Sequence, residues 1–260
     1  MICPKCKAEQ PEGNPECLRC GVIFAKLTPE DYADPPAVAA GAPDPPGLCG
    51  AGCLSRLFAA LFLDVEPEPN PVLRYGRLLT YAVFLVWGTR FILSPINGEF
   101  LARSFMHNIN LPFHEAGHIV FSLPGIGLDV LGGSLLQILM PAICAGAFVY
   151  LRNLFAASIA LWWTAQNFMD LAPYIDDARR LALPLLGGIT GAEDPEFHDW
   201  HHILGHLGWL RYDHVLARIS FGVGVLLMIL AFAWGGYVLF RQFRRPGGVE
   251  GARSRDAKAG

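Results

Sequence analysis

The sequence predicts an all-α polytopic membrane protein with about five to six transmembrane helices and a small N-terminal unit that contains four cysteines. Of the 260 residues, 53% are hydrophobic and only 17% are charged, and the mean hydropathy is +0.35. These values are too apolar for an ordinary soluble domain of this length. The apolar residues are also gathered into long runs, whereas the N-terminal residues are polar.

Five apolar runs approach the ~20 residues that a helix needs to cross a bilayer. They lie near residues 75–94, 101–123, 128–151, 155–175 and 217–240. With their connections they predict a membrane domain over residues 72–245, followed by a disordered tail over 246–260. Because the first long run begins only near residue 72, we expect no cleavable signal peptide.

The N-terminal 27 residues carry two Cys-x-x-Cys pairs, Cys3 with Cys6 and Cys17 with Cys20. Each pair can bend into a tight turn that offers two thiolates, and two such turns complete a tetrahedral zinc site. A unit this small cannot bury enough apolar surface alone, so we expect the metal to stabilise its fold. Residues 1–27 resemble a zinc ribbon with a structural zinc, whose expected role is to bind a protein partner.

Residues 28–71 carry nine prolines and predict an extended linker. Within it, Leu54 to Val65 predicts a helix that lies on the membrane surface. Reduced cysteines place the N-terminal zinc ribbon in the cytosol, and Arg74 and Arg77 agree with that orientation.

Five crossings, however, would leave Arg241, Arg244 and Arg245 outside the cell, against the positive-inside rule. Two alternatives restore the rule. Either a further segment such as Leu181–Ile189 is re-entrant, or the second apolar run does not cross the membrane.

The second apolar run contains His114-Glu115-Ala-Gly-His118. On a helix, positions four apart share a face, so His114 and His118 can bind one metal ion while Glu115 lies beside it as a base. Ionisable groups in a lipid-embedded segment usually mark a functional site. Just before the motif, Pro112 either kinks a long helix or lies in the first turn of a helix capped by Asn110.

A catalytic zinc needs a third protein ligand, and the end of the fourth apolar run offers several carboxylates. An intramembrane His-Glu-x-x-His followed by a helix with Asn167, Pro173 and Asp176 resembles the site-2 protease family of intramembrane zinc metalloproteases. The resemblance covers roughly residues 100–180. It implies His114, His118 and Asp176 as ligands of a catalytic zinc, Glu115 as the catalytic base and Asn167 as a helper that orients the substrate.

The second motif departs from the pattern of that family. Asp176 lies nine positions after Asn167 rather than eight, Asp170 replaces a proline, and Asp177 stands where glycine is expected. The third ligand is therefore Asp176, Asp177 or Asp170, and we prefer Asp176 because it keeps its distance from Pro173.

Five of the eight histidines follow in the polar region between residues 198 and 214. Four of them form a dense cluster whose expected role is a second metal site, a cover over the active site, or the third zinc ligand in place of Asp176: His198, His201, His202 and His206. The alternative is an interfacial loop rich in histidine and tryptophan.

The function predicted from these patterns is hydrolysis of a peptide bond in or near the membrane by a zinc-activated water, with Glu115 as general base. The expected partners are the lipid bilayer and a membrane protein or membrane-associated peptide as substrate. A net charge of −3 gives no indication of nucleic-acid binding. The alternatives are a membrane di-iron oxygenase of the desaturase type that uses the histidine clusters, and a non-catalytic zinc-ribbon scaffold.

Overall fold

The computed structural model describes residues 3, 9, 11, 13–17, 22–26, 51–65, 70–96, 99–122 and 128–244. The chain divides into two compact units, Met1–Gly50 and Ala51–Gly260. Among the described residues the regular secondary structure is helical, and isolated bridges include Glu16–Ile23 and Pro184–Thr190. The predicted all-α class is therefore confirmed.

In the first unit, the chain folds back on itself around residues 15–24. The N–H of Cys17 donates to the carbonyl of Val22 at 2.9 Å, and the N–H of Phe24 donates to the carbonyl of Pro15 at 3.0 Å. Cys3 and Cys17 are both buried. Cys6 and Cys20 lie outside the described residues, so the four-cysteine zinc site stays a prediction.

The second unit consists of eight α-helices in its described part: α1 Ala51–Phe58, α2 Pro71–Ile92, α3 Glu99–Ala102, α4 Phe105–Phe121, α5 Asp129–Tyr150, α6 Leu154–Asp176, α7 Asp199–His206 and α8 Asp213–Arg244. A π-helical turn, Ala59–Leu63, continues α1, so the helix predicted inside the linker is present. The five long helices correspond to the five apolar runs. Of these, Asp129–Tyr150 and the stretch Leu210–Arg244 are long and apolar enough to cross a membrane by length and composition.

Side-chain caps fix where three of the long helices begin. Asn70, Ser104 and Asn153 each accept a hydrogen bond from a backbone N–H in the first turn of α2, α4 and α6. Because α4 begins at Phe105, Asn110 is not its cap. Pro112 instead lies inside α4, where it removes one backbone hydrogen bond just before the His-Glu-x-x-His motif.

Helix α6 lies at the centre of the unit and contacts α2, α3, α4, α5, α7 and α8. Its longest contact is with α8, which runs antiparallel to it. Gly224 of α8 lies against the Ala165 carbonyl, and the Ser220 hydroxyl donates to the Phe168 carbonyl at 2.7 Å. Trp162 and Met169 of α6 are fully buried in the main apolar core. This packing fixes α6 as the scaffold to which the polar residues of the site are attached.

The two ends of the bundle differ. At one end, which we call the α7 end, α6 finishes and α8 begins, and His214 contacts Asp176. At the other end, the Arg152 turn joins α5 to α6, and Trp234 of α8 donates to the carbonyl of Phe62 after α1.

Helix α4 keeps to the half of the bundle near the α7 end. Its first residue, Phe105, stacks on Trp87 close to the end of α2, with 6.5 Å between ring centroids. Near its other end, the His118 ring contacts the carbonyl of Asp129, the first residue of α5. The segment Leu181–Ile189 is not a re-entrant helix but a surface turn closed by the Pro184–Thr190 bridge. Whether the second apolar run crosses a membrane stays a prediction.

Candidate metal centre

Two imidazoles and one carboxylate meet beside the α4–α5 contact. The Nε2 atoms of His114 and His118 lie 2.9 Å and 3.3 Å from Oδ2 of Asp199. One ligand atom from each of the three residues falls within 4.8 Å of the other two. His114 is buried, and the other two residues are half-buried.

These separations suit a single small cation. Zinc binds histidine nitrogen and carboxylate oxygen at ~2.0–2.2 Å, so two ligands of one tetrahedral ion lie roughly 3.3–3.6 Å apart. The separation between His118 and Asp199 agrees with this range, and that between His114 and Asp199 is slightly shorter, as expected of a direct hydrogen bond. Three protein ligands leave the fourth position of a tetrahedral site open, as catalytic zinc requires.

The far side of each ring is anchored. Nδ1 of His114 lies 3.0 Å from Oε1 of Gln137, and Nδ1 of His118 lies 2.8 Å from the Asp129 carbonyl. Both partners are acceptors, so each Nδ1 carries the proton and donates it. Nε2 is then the ring atom of each histidine that faces Asp199, and it is the atom left to bind a metal, as in metal sites whose Nδ1 donates to a second partner.

Three glycines make the site possible by letting α4 and α5 approach closely. A Cβ at Gly117 would overlap the backbone of Gly132, and one at Gly132 would lie 2.6 Å from the Gly117 carbonyl oxygen. A Cβ at Gly133 would lie 2.5 Å from Nε2 of His118 and 2.7 Å from Nε2 of His114. Gly133 thus keeps clear the space on which the imidazoles converge.

Behind His114 lies a buried polar network centred on Asp170. The Gln137 amide, whose oxygen faces His114, donates from Nε2 to the Asp170 carboxylate at 3.1 Å. Asn110 donates to the same carboxylate at 3.0 Å, and His107 Nδ1 lies 3.1 Å from it. Asp170, a candidate third ligand, therefore does not face the two Nε2 atoms. It accepts a hydrogen bond from Gln137, whose other amide atom contacts His114.

Helix α7 holds Asp199 in place. The Asp199 N–H donates to the Tyr174 hydroxyl at 2.9 Å, and Trp200 Nε1 donates to Ser134 Oγ at 3.2 Å. His198 caps the helix by accepting from the N–H of His201, whose ring contacts the Ala178 carbonyl at 2.7 Å. These contacts attach α7 to both α5 and α6.

The pKa values of Asp199 and His198 are shifted in the directions that these contacts require. Burial opposes ionisation of Asp199, but the hydrogen bonds from His114 and His118 outweigh it, and the pKa of Asp199 is lowered overall. Asp199 is therefore an anion at neutral pH. Burial lowers the pKa of His198, which favours the neutral ring needed for its capping contact.

The structure does not bring Asp176, predicted as the third ligand, to the two histidines. Its Oδ1 contacts Nδ1 of His214 at 2.5 Å, and the ligand group contains Asp199 in its place. The final turn of α6 directs Asp176 toward the start of α8 rather than toward α4. The alternative ligand Asp177 accepts from the N–H of Leu183 and lies 3.6 Å from Nε2 of His198.

Asn167, predicted to orient the substrate, is fully buried and donates to the Trp163 carbonyl of its own helix. It makes no hydrogen bond to either histidine of the site, so its contacts do not support the predicted role. The role of Glu115 as catalytic base stays a prediction. It is half-buried beside His114, and within the described part of the chain no hydrogen bond or ion pair engages its carboxylate.

The histidine cluster contributes to the site through its neighbour. None of the four histidines joins His114 and His118 in the ligand group, which Asp199 completes instead. His198 and His201 anchor α7, while His202 and His206 pack ring to ring at 4.4 Å. Among the residues that the structure describes, no second group of three donors lies at ligand distance.

Sequence reasoning missed Asp199, although it directly follows His198. The signal that could have found it is an acidic residue next to a tryptophan inside the histidine-rich segment. Comparison with protein-family models, with curated proteins and with solved structures finds no match to this chain.

Proposed function

We propose that this protein is a membrane-embedded zinc hydrolase whose metal is bound by His114, His118 and Asp199. The observation that carries the proposal is the convergence of two Nε2 atoms and one carboxylate oxygen, on a helix where Glu115 directly follows the ligand His114. Zinc is the metal that two imidazoles and one carboxylate with an open fourth position suit best.

The chemistry follows from these residues. Zinc would lower the pKa of a water molecule and polarise a carbonyl group. Glu115 would take one proton from that water as its oxygen bonds to the carbonyl carbon, and would pass the proton to the leaving nitrogen as the carbon–nitrogen bond breaks. A free carboxylate adjacent to a ligand suits both transfers.

We propose peptide bonds in or near the membrane as the substrate class. The His-Glu-x-x-His motif and the resemblance to site-2 proteases favour this class over other amides. The resemblance covers roughly residues 100–180. It does not extend to the proposed third ligand, because Asp199 lies after that region, in α7. A hydrolase is favoured over a di-iron oxygenase, which would need a second iron and the ligands to hold it.

The surface of the helices supports a membrane location. Val86 of α2 is 73% exposed and Leu226 of α8 is 70% exposed, and both lie on apolar helices. Large apolar surfaces of this kind are rare on soluble monomers but are expected where lipid surrounds a bundle. We propose that α2, α5, α6 and α8 cross the bilayer and that α4 does not.

The experiment compares the wild-type protein with Glu115→Gln after purification in detergent. We expect the variant to keep its zinc, because Glu115 is not a ligand. Its rate of cleavage of membrane-derived peptides should fall by a factor on the order of 10² or more. His114→Ala is the matched variant that loses both zinc and cleavage. Hydrolysis that survives in Glu115→Gln at the wild-type rate would refute the assigned role.

A further inference from the structure

Tyr174 places a hydroxyl group beside the candidate metal centre. It lies in the last turn of α6, and its ring packs between His114, at 6.0 Å, and His198, at 4.4 Å between centroids. No feature of the sequence marks it, since a tyrosine among apolar residues is usually part of a core. Its position next to a metal-site histidine calls for a different account.

The Tyr174 hydroxyl already accepts one hydrogen bond. Its oxygen accepts a hydrogen bond from the Asp199 N–H at 2.9 Å. A phenol has a single proton, which stays close to the ring plane and must point away from an incoming N–H. The proton therefore lies on the side of the hydroxyl that does not face the Asp199 N–H.

The surroundings indicate where that proton is used. The hydroxyl is within interaction range of the Asp199 carboxylate, the residue whose Oδ2 faces both Nε2 atoms. Glu115 is within electrostatic reach of the same hydroxyl. Tyr174 thus holds its hydroxyl against the backbone of one proposed ligand, Asp199, and its ring against another, His114.

We propose that Tyr174 is a catalytic residue that donates a hydrogen bond to the carbonyl oxygen of the substrate at the metal centre. As the carbonyl carbon is attacked, its oxygen gains negative charge, and a fixed O–H donor stabilises that charge. This inference rests on the proposed hydrolase function and adds a named electrophilic donor to it.

The competing explanation is that Tyr174 only positions Asp199 through its backbone N–H. Tyr174→Phe separates the two roles because it removes the hydroxyl and keeps the ring between His114 and His198. Tyr212→Phe is the matched control, since Tyr212 is 39% exposed in the loop before α8. The probe is acetohydroxamate, a small ligand that binds zinc-type sites through two oxygens and accepts hydrogen bonds there.

The measurement uses full-length protein saturated with Co²⁺, with acetohydroxamate binding followed through the visible absorption of the cobalt. The spectrum of Asp199→Ala is subtracted to remove any cobalt bound elsewhere. We expect Tyr174→Phe to bind cobalt as the wild type does and to bind acetohydroxamate roughly tenfold more weakly, the effect of one lost hydrogen bond. Tyr212→Phe should match the wild type in both.

Three results would overturn the inference. The first is equal acetohydroxamate affinity in Tyr174→Phe and the wild type. The second is loss of cobalt or of helical circular dichroism in Tyr174→Phe, because the hydroxyl would then be structural. The third is a wild-type protein that binds cobalt but not acetohydroxamate. A wild-type protein that binds no cobalt refutes the hydrolase proposal itself, and the role of Tyr174 falls with it.

Discussion

Nε2 of His114 lies 2.9 Å from Oδ2 of Asp199, although 85 residues separate them in the chain. The contact joins the helix that carries the His-Glu-x-x-His motif to a short helix in the polar region before α8. It completes a three-ligand set from two distant segments.

Gly133→Ala should remove the metal from this site. The added methyl group would lie 2.5 Å and 2.7 Å from the Nε2 atoms of His118 and His114, where the ion has to be. Zinc per chain, measured by elemental analysis, should fall by the amount bound at this site.

Gly146→Ala on the same helix is the matched control, because a Cβ there meets nothing within 4 Å. It should keep its zinc and unfold at the same temperature or slightly higher, since alanine favours a helix over glycine by about 0.5–1 kcal/mol. Equal zinc content in the two variants would mean that the ion does not lie between the histidines.

Gln137→Leu should weaken zinc binding without abolishing it. The substitution removes the acceptor that orients the His114 ring and leaves the Asp170 carboxylate without one of its donors. Loss of an orienting partner of this kind typically costs 10–100-fold in metal affinity. Competition with a coloured chelator measures the change.

Gln242→Leu serves as the control for Gln137→Leu. Gln242 is a buried glutamine near the far end of α8, away from the α7 end. Its replacement should leave zinc affinity unchanged. If both variants bind zinc as tightly as the wild type, the Gln137 contact has no part in holding the metal.

The proposed topology predicts that Tyr150 and Leu186 lie on opposite sides of the membrane. Tyr150 ends α5 and is 85% exposed, whereas Leu186 lies in the surface turn at the α7 end and is 61% exposed. Single cysteines at these positions should react with an impermeant maleimide from opposite faces of sealed vesicles, over the background of the natural cysteines.

We expect the Tyr150 side to be cytosolic, because α2 begins at that end and follows the N-terminal unit, whose reduced cysteines predict a cytosolic location. Four crossings return the C-terminal arginines to that side, which five crossings could not do. Labelling of both engineered cysteines from the same face would exclude the four-crossing topology.

Much of the fold could be predicted because each long helix depends on the residues of one continuous segment. A run of apolar residues of bilayer length predicts a helix wherever it packs, so the five long helices agree with the five runs. The two histidines of the site share one helix, and their spacing alone brings them together. Whether α4 crosses the membrane could not be decided from the sequence, because the length of an apolar run does not show how the helix is oriented.

The third ligand of the proposed metal site could not be predicted from the sequence. Asp170, Asp176 and Asp199 are all acidic residues near helix ends, and tertiary packing decides which of them reaches the histidines. The α6 register directs Asp170 to Gln137 and Asp176 to His214. Asp199 reaches the site because α7 packs against α5 through Trp200 and Ser134 and against α6 through Tyr174.

The most direct test is the zinc content of Asp199→Ala beside that of Asp176→Ala, each purified as the full-length chain and compared with the wild type. The account predicts that Asp199→Ala loses the zinc of this centre while Asp176→Ala retains it. Loss of zinc from Asp176→Ala together with full retention in Asp199→Ala would contradict the account.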